Sequence, residues 1–261
     1  MRIVHEPEVY VVGRQTLDSA EVQRFLADHA TEWHTDSAIG SELIVELAGR
    51  VCYLSFGEKQ FRKTNAGYVG NLINQGHGSV LEHAVWDLLI TGVSRSLTHE
   101  LVRHRAGVGV SQLSQRYVDE STADFVEPGV IASDPALHQT WQAAVAAAHA
   151  AYMTLVDGLE AKVAEQHPDL PRVQRRKMAR EAARSVLPNA TETKVLLSAN
   201  ARALRWIMTL RGSEGAEPEI RKLAVKLARV MRREAPNLFG DLEIVPLNDG
   251  SEGVAAGHLK V

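Results

Sequence analysis

Only one cysteine, Cys52, is present in 261 residues. The chain can therefore build no intrachain disulfide framework, no cysteine-based zinc cluster and no CxxC redox pair. Aromatic residues make up 5% of the sequence, which leaves few platforms on which successive bases of a polynucleotide could stack. Positive charge is not in excess either. The formal net charge is −3, which argues against a surface tuned throughout to nucleic acid. There is no apolar run long enough to span a bilayer, and the first residues, MRIVHEPEVY, lack the apolar stretch of a signal peptide. A cytoplasmic protein is expected. Internal repeats, low-complexity linkers and sharp breaks in composition are missing too, so residues 1–261 read as a single domain. At 45% hydrophobic content it is long enough for a substantial core.

What is present is a mixed, α+β pattern. Residues 4–12 are β-rich, and 19–50 read as helices broken by a turn over 34–40. Residues 64–75 predict a helix stopped by Gly76. The segment HAVWDLLITGV, residues 83–93, carries large apolar and β-branched residues on both faces and reads as a buried strand. From Ser94 a helix is expected to reach Arg103. Ser133 or Asp134 can cap a helix that has Pro135 in its first turn, with Leu137, Trp141, Val145, Tyr152, Val156, Leu159 and Val163 at helical spacing. Residues 172–186 predict a helix closed by Pro188, with Lys177, Arg180 and Arg184 on one face. A strand over 191–199, a helix over 202–211 and an amphipathic helix marked by Ile220, Leu223, Leu227 and Met231 complete the pattern. From Asn248 a mobile tail is expected.

Several apparent motifs have plainer readings. HELVRH resembles a zinc-protease pattern, but His99 and His104 are five apart, whereas a helix aligns two such ligands at a spacing of four. His77 and His83 flank Glu82, but with no further carboxylate or cysteine partner they read as capping or hydrogen-bonding histidines, and no metal site is expected. GVGVS is not GxGxxG and follows a predicted helix rather than a strand. Arg103, His104 and Arg105 alone read as a surface helix end favoured by the dipole. Lys177, Arg180, Arg184, Arg202 and Arg211 weaken that reading, because cations gathered in groups in an acidic chain suggest bound phosphates, which arginine forks suit. The segment from Arg103 to Arg116 then reads as a loop offering guanidinium, imidazole, hydroxyl and amide groups to anionic ligands.

These residues resemble the flavin-dependent thymidylate synthases, and the likeness runs from about Leu47 to Arg233. The family signature is RHR, seven residues and Ser, continuing as SxRY. Here Arg103, His104 and Arg105 are followed by eight residues, AGVGVSQL, and then by Ser114, Gln115, Arg116 and Tyr117. GHGSVLEH (76–83), SRSLTHELVRHR, ARSVLPNATET (183–193) and NARALRWIMTLR (200–211) are also similar and occur in the family's order. The resemblance implies an α+β protomer with a mixed sheet and flanking helices, assembled as a homotetramer with FAD held where subunits meet. It implies that the one-carbon unit of methylenetetrahydrofolate is transferred to carbon 5 of dUMP, with flavin reduced by NADPH supplying the hydride. By motif position, His77, Ser79, Glu82, Arg103, His104, Arg105, Ser111, Asn200 and Arg202 would contact the flavin. Glu100, Arg103, Gln112, Ser114, Gln115, Arg116, Arg184 and Arg211 would line the nucleotide pocket.

Arg211 and Ser114 are the expected catalytic positions. Arg211, if aimed at a uracil carbonyl, would stabilise negative charge developing on the ring, and Ser114 is suited to donate to a phosphate or a uracil edge. Ser114 is unattractive as a covalent nucleophile, because no histidine base sits at a spacing that guarantees contact. Cys52 lies in an apolar stretch with Arg50 as its one basic neighbour. It reads as a buried packing residue, not as the thiolate used by the other class of thymidylate synthase.

The chain departs from the family pattern at three places. The extra residue lies between Arg105 and Ser114, so the loop must bulge or shift there, and AGVGVS replaces bulkier polar and aromatic residues common in relatives. Gly215 stands where the family often has His, and Pro218 begins or distorts the following helix. A displaced loop would make room for a ribose 2′-hydroxyl, so UMP is an alternative substrate, beside or instead of dUMP, as in a tailoring methylase of modified-nucleoside synthesis. A hydrophobic wall alone rejects one added hydroxyl by only about a hundredfold. Two readings from other classes stay open: a nucleic-acid-binding module using RHR and QRRK, and a flavin-binding homologue that has lost methyl transfer.

Overall fold

Short polar side chains start several of the helices of this chain. Asp18 accepts from the backbone N–H groups of Ala20 and Glu21, Thr64 from Gly67, Asp134 from Ala136 and Leu137, and Asn200 from Ala203. Each satisfies donors that a first helical turn leaves open. The computed structural model describes residues 1–257. Its elements begin with β1 (Ile3–Val4), β2 (Glu8–Arg14), α1 (Ser19–Asp28), α2 (Gly40–Tyr53), α3 (Asn65–Asn74) and β3 (Val85–Ser94). They continue with α4 (Arg95–Leu101), β4 (Val108–Gln112), β5 (Phe125–Val126), α5 (Gly129–Ala132), α6 (Pro135–Gln166) and α7 (Arg172–Ala183). The last are β6 (Glu192–Asn200), α8 (Ala201–Arg211), α9 (Pro218–Glu234), α10 (Pro236–Phe239), β7 (Leu242–Pro246) and β8 (Glu252–Ala256). Helices and strands thus alternate through a mixed α+β chain. A four-stranded sheet has the order β2, β3, β6, β4. No helix among the described residues is long and apolar enough to cross a membrane.

The chain forms two compact units, each assembled from separated segments. The first contains Met1–Pro7, Ile90–Leu101 and Ser111–Val195. In it β1 runs parallel to β5, with Ile3 opposite Phe125 and Val4 opposite Val126. The long helix α6 packs on α7 and buries Tyr152 and Val156 against Ala183. Towards its N-terminus Val145 joins Phe125 and Ala123, with Trp141 against them.

The second unit contains Glu8–Leu89, Val102–Val110 and the chain from Leu196 onward. Here α9 buries Ile220, Leu223, Leu227 and Met231, the face that the sequence spacing marks. Trp86 and Phe239 meet edge to face, with centroids 5.5 Å apart. Two buried carboxylates are fully engaged. Glu46 accepts from Trp33, Thr35, Arg50 and Asn65, and Glu42 from Ser37 and Asn237. Such partners offset the cost of placing charge in the core.

Four local expectations are corrected. The helix after Ser94 stops at Leu101, short of Arg103. The signature segment is not a loop throughout: Gly107, at φ 69°, turns the chain, and Val108–Gln112 then pairs as a strand, with β-branched Val108 and Val110 favouring the extended form. Strand β3 buries Trp86, Leu88 and Ile90 fully, while the residues between them are only half-buried. The expected mobile tail is largely a hairpin, because β8 runs antiparallel to β7, with Leu242 opposite Ala256 and Pro246 opposite Glu252. Residues 258–261 of that tail lie outside the described residues.

Candidate functional site

In the second unit, Gly76 at φ 71° ends α3 in the left-handed conformation that glycine adopts without strain. His77 follows, half-buried, and leads into a 3-10 turn over Gly78–His83. Its ring stacks on Tyr53, with centroids 6.2 Å apart and planes 22° apart. The same turn presents Ser79 and Glu82 to solvent.

Arg202 lies across this turn from the first turn of α8. Its Nη1 donates to Glu82 Oε1 at 2.6 Å, and a Cβ at Gly78 would meet its Nε at 2.9 Å, so only glycine gives it that path. Asn200 caps α8 and donates its backbone N–H to the Gly107 carbonyl at 3.0 Å. A Cβ at Gly107 would overlap the Asn200 amide. The turn after Arg105 is thereby packed onto the start of α8. Glu82, Gly107, Asn200, Arg202 and Trp206 line one open cavity of about 350 Å³. Tyr53, His77, Ser79 and Arg202 line another of about 350 Å³, together with Cys52.

Cys52 is exposed, not buried as expected. Helix α2 buries Val45, Glu46, Gly49 and Arg50, and residue 52 falls outside that stripe. Arg50, its one basic neighbour in sequence, is itself buried and paired with Glu46 at 2.6 Å.

His104 is half-buried, whereas Arg103 and Arg105 on either side are exposed. Arg211, the last residue of α8, donates from Nε to His104 Nε2 at 3.0 Å. Burial, and then the positive charge of Arg211, hold the His104 pKa below the ordinary 6.5.

The first unit holds most of the expected nucleotide set: Glu100, Gln112, Ser114, Gln115, Arg116 and Arg184, along with Ser111. Glu100 is half-buried in the last turn of α4, and Ser111 is exposed on β4. Gln112 Nε2 donates to Thr98 Oγ1 at 3.1 Å and Thr193 Oγ1 at 3.3 Å. With both amide hydrogens so engaged, its carbonyl oxygen remains the end able to accept. The Ser114 carbonyl accepts from the Tyr117 and Val118 N–H groups at 3.1 and 3.0 Å, which makes Ser114–Tyr117 a tight turn. Within it Gln115 is buried, and its Nε2 has no protein partner. Arg116 lies 4.0 Å from Glu181.

Three cations play roles that sequence reasoning missed or misplaced. Arg180 was grouped with Lys177 and Arg184 as a phosphate binder, but it is buried and donates to the Tyr117 carbonyl at 2.8 Å and Asp119 Oδ2 at 2.7 Å. It braces the turn that follows the signature. Lys177 lies over the Tyr117 ring, 5.4 Å from its centroid. Arg95, which carried no assigned role, has its charge disfavoured by burial, supported by Glu120 and opposed by Arg184. Its place directly before SLTHELVRHR was the one available signal.

Comparison with known proteins gives the same direction. Residues 35–237 match the family described as Thymidylate synthase complementing protein. The chain is 49% identical over 229 residues to the flavin-dependent thymidylate synthase of Mycolicibacterium gilvum (strain PYR-GCK), covering 87% of this chain and 90% of the relative. It is 49% identical to that of Mycobacterium avium (strain 104) and 48% to that of Mycobacterium marinum (strain ATCC BAA-535 / M), with the same coverage. The chain belongs to the flavin-dependent thymidylate synthase family of methyltransferase-type enzymes.

Proposed function

We propose that this chain methylates carbon 5 of a uridine 5′-monophosphate, dUMP in the first place, with FAD as resident cofactor and methylenetetrahydrofolate and NADPH as co-substrates. It does so as a single functional domain in a cytoplasmic homotetramer. The observation that carries this reading is the convergence on α8. His77, Ser79 and Glu82 lie more than a hundred positions before Asn200 and Arg202, yet in the second unit the two groups meet at the start of one helix and its adjoining cavities.

The donor chemistry there fits a flavin dinucleotide. The N-terminus of α8 and Arg202 suit a pyrophosphate, His77 and Ser79 offer polar contacts at the cavity wall, and the close packing at Gly78 and Gly107 leaves the cradle free of side-chain bulk. When bound, FAD supplies the hydride that turns the transferred one-carbon unit into a methyl group. Arg202, Arg103 and Arg105 hold negative phosphate oxygens in this reading, and Glu82 orients Arg202. Arg116 and Arg184 hold the phosphate of the nucleotide, while Gln112 and Ser114 fix its polar edges. Arg211, placed at a uracil carbonyl, stabilises charge developing on the ring. Each arginine contact to a charged oxygen contributes about 1.5–3 kcal/mol.

A second reading, use of UMP, is favoured by two features. The signature segment contains Ala106, Gly107 and Gly109 with one extra residue, and a Cβ at Gly215 would meet nothing within 4 Å. Gly215 leaves open space, and the extra residue gives the signature segment a path that differs from the family pattern it resembles. Competition between dUMP and UMP in one reaction separates the readings. A mixed product supports dual use, and negligible turnover of UMP removes it. Light scattering of the flavin-loaded protein tests the tetramer.

A further inference from the structure

Arg211 is fixed at both its backbone and its side chain. The carbonyl of the next residue, Gly212, accepts the Val254 N–H at 2.9 Å, and the Gly212 N–H donates to the Met208 carbonyl at 2.9 Å. A Cβ at Gly212 would meet Met208 O at 2.5 Å and Val254 Cβ at 2.6 Å. The hairpin of β7 and β8 thus closes directly on the end of α8. On the side-chain face, Nε reaches His104 Nε2 at 3.0 Å. Arginine carries donors only and stays protonated. His104 Nε2 must then be the unprotonated ring nitrogen, with the ring hydrogen on Nδ1. With Nε anchored, the plane that carries Nη1 and Nη2 is set before any ligand arrives.

We propose that His104 is the positioning residue for Arg211, holding its guanidinium plane for the uracil ring, so that His104 Nε2 serves the protein and not the flavin. The proposal rests on the reading of Arg211 as a nucleotide contact. A donor aligned in advance needs no reorganisation when charge develops on the ring. A protonated imidazole would lose the acceptor and set two cations against each other, so the neutral ring is part of the device. The lowered basicity of His104 agrees with this.

The test uses the FAD-loaded protein, with dUMP binding followed through the visible flavin spectrum in His104→Phe, His104→Gln, Arg211→Ala and the double variant H104F/R211A. His104→Phe is expected to keep its flavin and weaken dUMP binding roughly tenfold, the loss of one charge-assisted hydrogen bond. His104→Gln, whose amide oxygen can accept from Nε, should recover affinity to within roughly threefold of the parent. The double variant should bind dUMP no more weakly than Arg211→Ala. Effects that multiply in the double variant would overturn the proposal. An Arg211→Ala protein with parental dUMP affinity would overturn the nucleotide reading beneath it, and the pairing with it as a functional device. Should His104→Phe fail to fold, nitrogen-15 NMR of histidine-labelled parent protein decides: an unprotonated His104 Nε2 supports the pairing, and a protonated one overturns it.

Discussion

Arg205 and Asp241 form a two-pronged pair: Nη1 and Nη2 of the arginine each meet a carboxylate oxygen at 2.6 Å, and Nη1 also reaches the Leu238 carbonyl at 2.7 Å. Arg205 is 1% exposed and sits in the middle of α8, between Arg202 and Arg211. The pair ties the helix that carries the site to the segment just before β7. Removing one member of a buried pair strands the other charge. Asp241 is partly exposed, so the loss for Asp241→Ala is expected to be roughly 2–4 kcal/mol, below the fully buried case. Denaturant midpoints measure it, and a change under about 0.5 kcal/mol, typical of surface sites, would contradict the role.

Gly107→Ala places a methyl group where φ is 69° and where the Asn200 amide already lies. Left-handed strain alone costs about 1–2 kcal/mol. The larger consequence is expected at the start of α8: flavin content per chain, read from visible absorbance, should fall. Full flavin retention with unchanged melting would show that this turn is not part of the cradle.

Glu82 and Arg202 are both nearly half-exposed, so their ion pair contributes about 0–1 kcal/mol to stability. Glu82→Gln is therefore expected to melt like the parent while binding FAD more weakly, by roughly tenfold for one lost charged contact. FAD titration of the apoprotein measures this. A variant that melts much lower but binds FAD normally would assign the pair to folding instead.

Glu120 is buried, and burial raises its pKa above the ordinary 4.5, with Arg95 opposing and Glu192 adding to the rise. Between 4.5 and that raised value, the folded chain binds a proton that the unfolded chain has released. Stability from the neutral form is complete below 4.5 and is lost as pH rises through the folded value. Glu120→Gln stays neutral throughout, so its stability should decline less than the parent's as pH rises from 4.5 towards neutrality. Parallel pH profiles of the denaturant midpoint would rule the effect out.

Much of the fold was legible because it follows from local chemistry. Asp134 with Pro135, Thr64 with Gly76, and the Ile220 to Met231 spacing mark real helix starts, stops and faces. Elements that depend on distant partners were not legible. Strand β4 lies in a Gly-rich stretch and exists because the sheet accepts it, and β8 exists because β7 lies opposite. The candidate flavin residues were placed by motif, but motif spacing does not show that Arg211 Nε faces His104 or that Arg180 is spent on Tyr117 and Asp119. Those contacts join residues 107, 63 and 61 positions apart, where pattern carries no signal. Cys52 was misplaced for a related reason: an apolar neighbourhood in sequence does not say which side of a helix faces the core.

The most direct measurement is the product itself. The protein reconstituted with FAD is incubated with NADPH, methylenetetrahydrofolate and dUMP, and the nucleotide is analysed by mass. The account predicts a nucleotide heavier than dUMP by one methylene, formed only when NADPH and the folate are both supplied, and lost in Arg211→Ala. A flavin-loaded protein that leaves both dUMP and UMP unmethylated would contradict it.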